Sequence, residues 1–266
     1  MKKLHYVMVC LNFLVASALV VHADDPKDMK VIAEPREPVS DAGLYVAAYG
    51  GADFTNINDG SKYSIGNVGP TDFFDVGLFQ GGGSTTNTVG GVGGLKVGYN
   101  FESYDVVEGL RLQPAVELEG LYIGGTGANH FSYASPETIT VKSNYENAAV
   151  LLNGIVRFKL DSPFTPYVGL GIGTEYLNAT NVSLSDQFGN SYGTYGSGNW
   201  ALAEQGLVGV DYAFTKHWSL LTEYKFIIMD DPRVTITNFG HTGADYTYRP
   251  DYIGQNIGVV GIKYSF

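Results

Sequence analysis

Beyond Gly43, apolar and polar residues alternate with a period of two in successive segments, which predicts β-strands rather than helices. The C-terminal segment shows the pattern most clearly, because one of its faces carries Gly258, Val260, Ile262, Tyr264 and Phe266. The eight predicted strands cover residues 43–54, 89–102, 110–124, 145–160, 165–178, 199–214, 217–229 and 252–266. The sequence therefore predicts an all-β protein.

The connections between these segments alternate in length. Those after the second, fourth and sixth strands are short, at residues 103–109, 161–164 and 215–216. The others run to about 20 to 35 residues and are rich in Gly, Ser, Thr, Asn and Asp. Short turns on one side and long loops on the other are typical of barrels that cross the bacterial outer membrane, with the turns in the periplasm. We therefore expect an eight-stranded antiparallel up-and-down transmembrane β-barrel in the cell outer membrane.

The first 41 residues differ from the rest. Residues 1–23 have a basic start, an apolar run and small residues at Val21-His22-Ala23, which predicts a cleaved signal peptide. Residues 24–41 are polar and contain three prolines, which indicates a periplasmic leader ahead of a barrel at residues 42–266. Cys10 is the only cysteine and lies inside the predicted signal peptide. We expect neither a disulfide nor a thiolate metal site in the processed chain.

Composition agrees with a membrane barrel and narrows the list of partners. The chain has 35 glycines, 13% aromatic residues and only 16% charged residues. This balance is typical of barrels with glycine-rich walls and aromatic belts in contact with outer-membrane lipid. Candidate belt residues near strand ends are Tyr176, Trp200, Tyr212, Trp218 and Tyr252. The formal net charge of −11 argues against binding to nucleic acid, which requires a positively charged surface.

The inward faces of the strands define the candidate site. They place ten charged residues in the lumen: Lys96, Arg111, Glu117, Glu119, Arg157, Glu175, Asp211, Glu223, Lys225 and Lys263. Five are basic and five acidic, so we expect ion pairs that fill the narrow space enclosed by eight strands. A small porin-like conduction path is the alternative. Glu204 falls on the lipid-facing side, which predicts either a position near the membrane surface or a bulge that turns it inward.

Four segments carry a resemblance to a known family. They are Gly43-Leu44-Tyr45-Val46-Ala47-Ala48-Tyr49-Gly50-Gly51, Pro166-Tyr167-Val168-Gly169-Leu170-Gly171-Ile172-Gly173, Gly209-Val210-Asp211-Tyr212 and Val260-Gly261-Ile262-Lys263-Tyr264-Ser265-Phe266. In order and spacing, residues 42–266 resemble the opacity-type, OmpA-like family of eight-stranded outer-membrane β-barrels. The resemblance implies that Phe266, with Tyr264, Ile262 and Val260 at alternate positions before it, is the signal read by the barrel-assembly machinery.

Candidate chemistry is sparse. His130-Phe131-Ser132 has the His and Ser spacing of outer-membrane enzymes that act on lipid A, but it lies in a predicted loop without an identifiable acid. We expect no enzymatic activity, no cofactor and no metal site. The long loops carry many aromatic residues and would be displayed outside the cell. The sequence thus favours a structural or surface component, a surface antigen whose loops bind a host or matrix ligand. A soluble lipocalin-like barrel would need an apolar lumen, the reverse of this charge placement.

Overall fold

A computed structural model describes residues 42–57, 62–66, 79–80, 83–85, 88–132, 138–185, 191–193, 195–230, 234–239, 244–249 and 252–266. The predicted signal peptide and polar leader, residues 1–23 and 24–41, lie outside the described residues. Eight long strands form the wall: β1 Gly43–Ile57, β2 Thr88–Asn100, β3 Leu110–Ser132, β4 Thr138–Leu160, β5 Phe164–Ser185, β6 Asn199–Ala213, β7 Trp218–Asp230 and β8 Tyr252–Ser265.

The eight strands close into a barrel. Each strand pairs antiparallel with the strand before it and the strand after it, and β1 pairs with β8 to complete the ring. The closing register places Tyr45 opposite Ser265 and Ile57 opposite Ile253. This arrangement confirms the predicted eight-stranded up-and-down fold, which leaves the wall without an unpaired edge.

Within the part of the chain that the structure describes, no helix is long and apolar enough to cross a membrane.

The short turns lie at one end of the barrel, together with Phe266. In the β6–β7 turn, the backbone N–H of Trp218 donates to Thr215 Oγ1 at 2.9 Å, which holds the turn closed. The β2–β3 connection contains a short strand, Tyr104–Val107, that pairs with β3. It ends at Gly109, whose φ of 79° lies in the left-handed region that favours glycine. These three connections define the periplasmic end predicted from their lengths.

The outer surface of the wall is apolar, and aromatic residues lie toward both ends. At the long-loop end, the rings of Tyr176 and Trp200 are 5.2 Å apart. At the short-turn end, Trp218 packs edge-on against Tyr264 at 4.9 Å. Exposed apolar side chains such as Ile172 on the wall between these belts suit contact with lipid rather than water.

Glu204 remains on the outward face. Its side chain is exposed, and it pairs with Ile172 of β5 and Ile228 of β7 in a continuous register. The alternative of a bulge that turns Glu204 inward is therefore wrong. The residue lies four positions along β6 from Trp200 of the outer aromatic belt.

The connections at the long-loop end contain more strand than the sequence pattern predicts. Strands β3, β4 and β5 extend to 23, 23 and 22 residues. A separate five-stranded antiparallel sheet, here called the loop sheet, consists of Tyr195–Ser197, Val234–Phe239, Ala244–Arg249, Lys62–Gly66 and Phe79–Gln80 in spatial order. The expectation that these connections are loops is therefore wrong in part, because pairing between distant segments stabilises short strands that have little local pattern of their own.

Candidate functional site in the barrel lumen

The lumen contains nine of the ten charged residues that the sequence placed there. Lys96, Glu117, Glu119, Arg157, Glu175, Asp211, Glu223, Lys225 and Lys263 are all buried. Arg111 is the exception, because its side chain is exposed. Arg111 falls on the inward face in the alternation of β3. It lies at the periplasmic rim, however, opposite Asp105 and Lys159, where the wall no longer encloses it. Placing Arg111 in the lumen was therefore wrong.

The buried groups form three layers along the barrel axis, and the layer nearest the periplasm is built around Asp211. Arg157 Nη1 lies 2.5 Å from Asp211 Oδ2, and Lys263 Nζ contacts the same oxygen. Arg157 Nε also donates to Asn100 Oδ1 at 3.1 Å. The Arg157 guanidinium lies 5.1 Å from the Tyr45 ring centre, a cation–π contact. This periplasmic cluster ties five strands together, three through the Asp211 carboxylate and two more through Arg157.

The central layer contains two lysines and three glutamates. Lys96 Nζ lies 2.9 Å from Glu223 and 3.1 Å from Glu117. Lys225 Nζ lies 2.9 Å from the other oxygen of Glu223 and contacts Glu119. Each carboxylate therefore has a cationic partner, as a desolvated charge requires.

Neutral amides complete the central layer. Asn153 Nδ2 donates to Glu117 Oε1 at 3.0 Å and to Glu119 Oε2 at 2.9 Å. Gln205 Nε2 donates to Glu119 Oε2 and to Asn153 Oδ1, each at 3.0 Å. These bonds give Glu119 Oε2 two amide donors and add an amide donor to Glu117 Oε1 beside Lys96. The network that results is densely connected rather than a set of isolated pairs.

Three lumen tyrosines were not among the predicted site residues. Tyr45 and Tyr167 donate to Glu117 and Glu223 at 2.9 Å, and Tyr49 donates to Glu119. Each tyrosine lies opposite a glycine of the next strand, in the pairs Tyr45–Gly98, Tyr49–Gly94 and Tyr167–Gly209. The sequence signal for these residues is a tyrosine at an inward-facing position of one strand with a glycine opposite it on the next strand.

The third layer lies toward the long-loop end and contains Asp53, Asn147, Glu175 and Gln255, here called the outer cluster. Asn147 Nδ2 and Gln255 Nε2 donate to Glu175 Oε1 at 2.7 and 2.5 Å. Asp53 accepts a hydrogen bond from Thr55 Oγ1. Only Glu175 of this layer was predicted as a site residue.

The three layers differ in charge. The described buried side chains include four basic and six acidic residues, so the expected five-to-five balance is wrong. The periplasmic and central layers together contain all four cations and four of the acids, and are neutral as a unit. The two remaining acids are Asp53 and Glu175. The excess negative charge is thus confined to the outer cluster.

This geometry suits a structural role, because the charged groups of the two lower layers are buried and paired with one another. Lys225 and Glu119 in the central layer are 0% exposed, so solvent does not reach either side chain. Within the described ranges, no group of three or more His, Cys, Asp or Glu side chains is arranged to hold a metal ion. His130 and Ser132 lie on the extension of β3, opposite Thr140 and Thr138, rather than in a loop.

Comparison with known proteins finds similar sequences and structures. No protein-family model matches the sequence. The chain is 26% identical over 233 residues to outer membrane protein PagN of Salmonella typhimurium, a match that covers 84% of this chain and 90% of PagN. Among solved structures, the chain is similar to OprG of Pseudomonas aeruginosa, with 16% identity, a TM-score of 0.44, and coverage of 84% of this chain and 96% of OprG. It is also similar to Neisserial surface protein A, with 15% identity, a TM-score of 0.41, and coverage of 85% and 99%.

Proposed function

Because this chain is an integral outer-membrane protein of the eight-stranded β-barrel class, we propose that it is a surface component that binds a host or matrix ligand through its extracellular strands. The observation that carries the proposal is the loop sheet, in which three separate long connections contribute to one antiparallel sheet. Binding residues concentrate on connections held by a rigid scaffold, and a filled barrel is such a scaffold.

Pairing between connections makes the loop sheet a pre-organised surface. Val234–Phe239 and Ala244–Arg249 form a hairpin, and Lys62–Gly66 from the β1–β2 connection pairs with its second strand. Tyr195–Ser197 from the β5–β6 connection pairs with its first strand. A surface that is already ordered loses less conformational entropy on binding than three independent loops would. This supports recognition by the sheet as a unit.

Replacement of residues 234–249 by a short Gly-Ser turn tests this proposal. We expect bacteria that display the variant to lose adhesion to host cells and matrix-coated surfaces, because the replaced hairpin is the centre of the loop sheet. The matched control shortens the β3–β4 hairpin at residues 125–144, which extends the barrel wall instead. Boiled and unboiled samples of both variants should still migrate differently on a gel, because a closed barrel unfolds only on boiling. Full adhesion by the hairpin variant would contradict the proposal.

The same proposal makes the chain neither a channel nor an enzyme. The buried central layer argues against a conduction path, so the folded chain should produce no discrete conductance in planar bilayers. Its expression should leave the mass of lipid A unchanged, with or without the substitution Ser132→Ala. The remaining proposed partners are outer-membrane lipid along the apolar wall and the barrel-assembly machinery at Phe266.

A further inference from the structure

The outer cluster joins opposite walls of the barrel. Asp53 and Gln255 lie on the adjacent strands β1 and β8, whereas Asn147 and Glu175 lie on the adjacent strands β4 and β5. The hydrogen bond of 2.5 Å from Gln255 Nε2 to Glu175 Oε1 therefore crosses the lumen. All four side chains are at most 5% exposed, so the cluster is enclosed rather than part of the solvated rim.

Each side chain of the outer cluster has one oxygen without a hydrogen-bond partner. These atoms are Asp53 Oδ1, Asn147 Oδ1, Glu175 Oε2 and Gln255 Oε1. Buried oxygens of this kind cost about 1 to 3 kcal/mol each when no partner compensates them. Both amides direct their N–H groups to Glu175 Oε1, which leaves their carbonyl oxygens available to a further partner.

A cation is the kind of partner that would compensate these oxygens and the charge of the two carboxylates together. Asp53 and Glu175 are both buried acids of the outer cluster, and among the described residues no lysine or arginine forms an ion pair with either. The four buried cations are already used by the two lower layers. Cross-strand neighbours provide no charge, because Ile257 faces Asp53, Ile227 faces Gln255 and Leu177 faces Asn147. Thr55, which also faces Gln255, supplies only a neutral hydrogen bond to Asp53. Two uncompensated carboxylates in such surroundings are strongly unfavourable.

We propose that the outer cluster binds a hard divalent cation of the Ca²⁺ class, with Asp53, Glu175, Asn147 and Gln255 as its oxygen ligands. The donor set contains no nitrogen or sulfur ligand, and its two carboxylates match a charge of two. Ca²⁺ accepts carboxylate and amide oxygens together in irregular geometry, with water completing about six to eight ligands. Mg²⁺ binds less well, because it demands near-octahedral geometry that ligands from two opposed walls do not readily provide.

The bound cation would act as a cross-link. It connects β1 and β8 to β4 and β5 at the outer end, where the described side chains provide no salt bridge across the lumen. The lower two layers already join the walls through ion pairs. Ca²⁺ would thus join opposite walls at the extracellular end, as the ion pairs of the lysines and of Arg157 join them in the two lower layers.

Titration calorimetry of the purified full-length chain in detergent micelles, stripped with EDTA, tests the inference with Ca²⁺ alone as the probe. We expect one Ca²⁺ per chain, weaker binding of Mg²⁺, and a higher melting midpoint with Ca²⁺ than with EDTA. Glu175→Gln and Asp53→Asn should each weaken Ca²⁺ binding at least about tenfold, because each removes one charged ligand. Different gel migration before and after boiling would verify that both variants fold.

Glu204→Gln is the matched control, because it removes the same charge from the outward face of the wall and should leave Ca²⁺ binding unchanged. Three results would overturn the inference. The first is the absence of binding heat and of any Ca²⁺-dependent shift in the melting midpoint of the wild-type chain. The second is Ca²⁺ binding that survives both substitutions, which would place the cation elsewhere. The third is neutralisation of the cluster by protons, in which case Glu175→Gln should raise the melting midpoint in EDTA and Ca²⁺ should not.

Discussion

At the residue scale, the packing of the lumen depends on tyrosines whose rings occupy the space beside a glycine of the next strand. The ring of Tyr45 occupies the space in which a side chain at Gly98 would lie, so that a Cβ at Gly98 would be 2.3 Å from the ring. Tyr45 is fully buried and held by Glu117 and by the cation above its ring. It cannot move aside without loss of those contacts.

Gly98→Ala should therefore destabilise the barrel by about 1 to 3 kcal/mol, the usual cost of overpacking a well-filled interior. Urea-induced unfolding in lipid vesicles measures the change. Gly258→Ala is the control, since nothing lies within 4 Å of a Cβ at that outward position and we expect no loss of stability. Equal stability of the two variants would show that Tyr45 is not fixed in its position.

At the element scale, β8 has two separate roles. Its inward face supplies Gln255 and Lys263 to the lumen, and its outward face carries Val260 and Ile262, which are exposed to lipid. At its end, the backbone N–H of Phe266 donates to Leu44 O at 3.0 Å. The Phe266 ring packs edge-on against Tyr264 at 5.0 Å and is 71% exposed. A side chain so exposed adds little to packing, which leaves it accessible to the assembly machinery.

Phe266→Ala should consequently reduce the amount of folded barrel in the outer membrane much more than it changes the stability of barrels that do assemble. Quantitative immunoblots of unboiled outer membranes give the first quantity, and urea unfolding of refolded protein gives the second. Phe214→Ala, at another exposed aromatic of the same barrel end, is the control and should assemble normally. Normal assembly of Phe266→Ala would remove the proposed role of the terminal signal.

At the scale of the whole molecule, the two lower layers act as one electrostatic unit. Lys225 is fully buried between Glu119 and Glu223, so its removal would leave carboxylates that share a single remaining lysine, Lys96. An uncompensated buried charge costs far more than the intact network contributes.

Lys225→Met should lower the free energy of unfolding by about 3 to 5 kcal/mol, the usual cost of breaking a buried ion pair. The double variant Lys225→Met with Glu119→Gln should regain part of that loss, because it removes the stranded charge as well. Urea unfolding in vesicles measures both, with Lys216→Met in the exposed β6–β7 turn as the control. A single variant as stable as the wild type would mean that the network is not coupled.

Period-two alternation was sufficient to determine the number of wall strands, their order and which wall residues point inward or outward. Local chain geometry fixes that period, so Lys263 and Ile262 could be assigned to opposite faces from the sequence alone. The same rule placed nine of ten charged residues in the lumen. It misplaced Arg111 because parity gives a direction but not the height at which the wall begins to enclose a side chain.

Only the tertiary structure decided which lumen groups meet. The partners Lys225 and Glu119 lie on strands that are not neighbours, and their contact depends on the barrel's diameter and on the stagger of its strands. The same holds for Gln255 and Glu175, and for the pairing of the loop strands across three connections. Alternation predicts that a side chain points inward, whereas closure of the wall determines which other side chains it contacts. For that reason the uncompensated carboxylates Asp53 and Glu175 became visible only in the folded barrel.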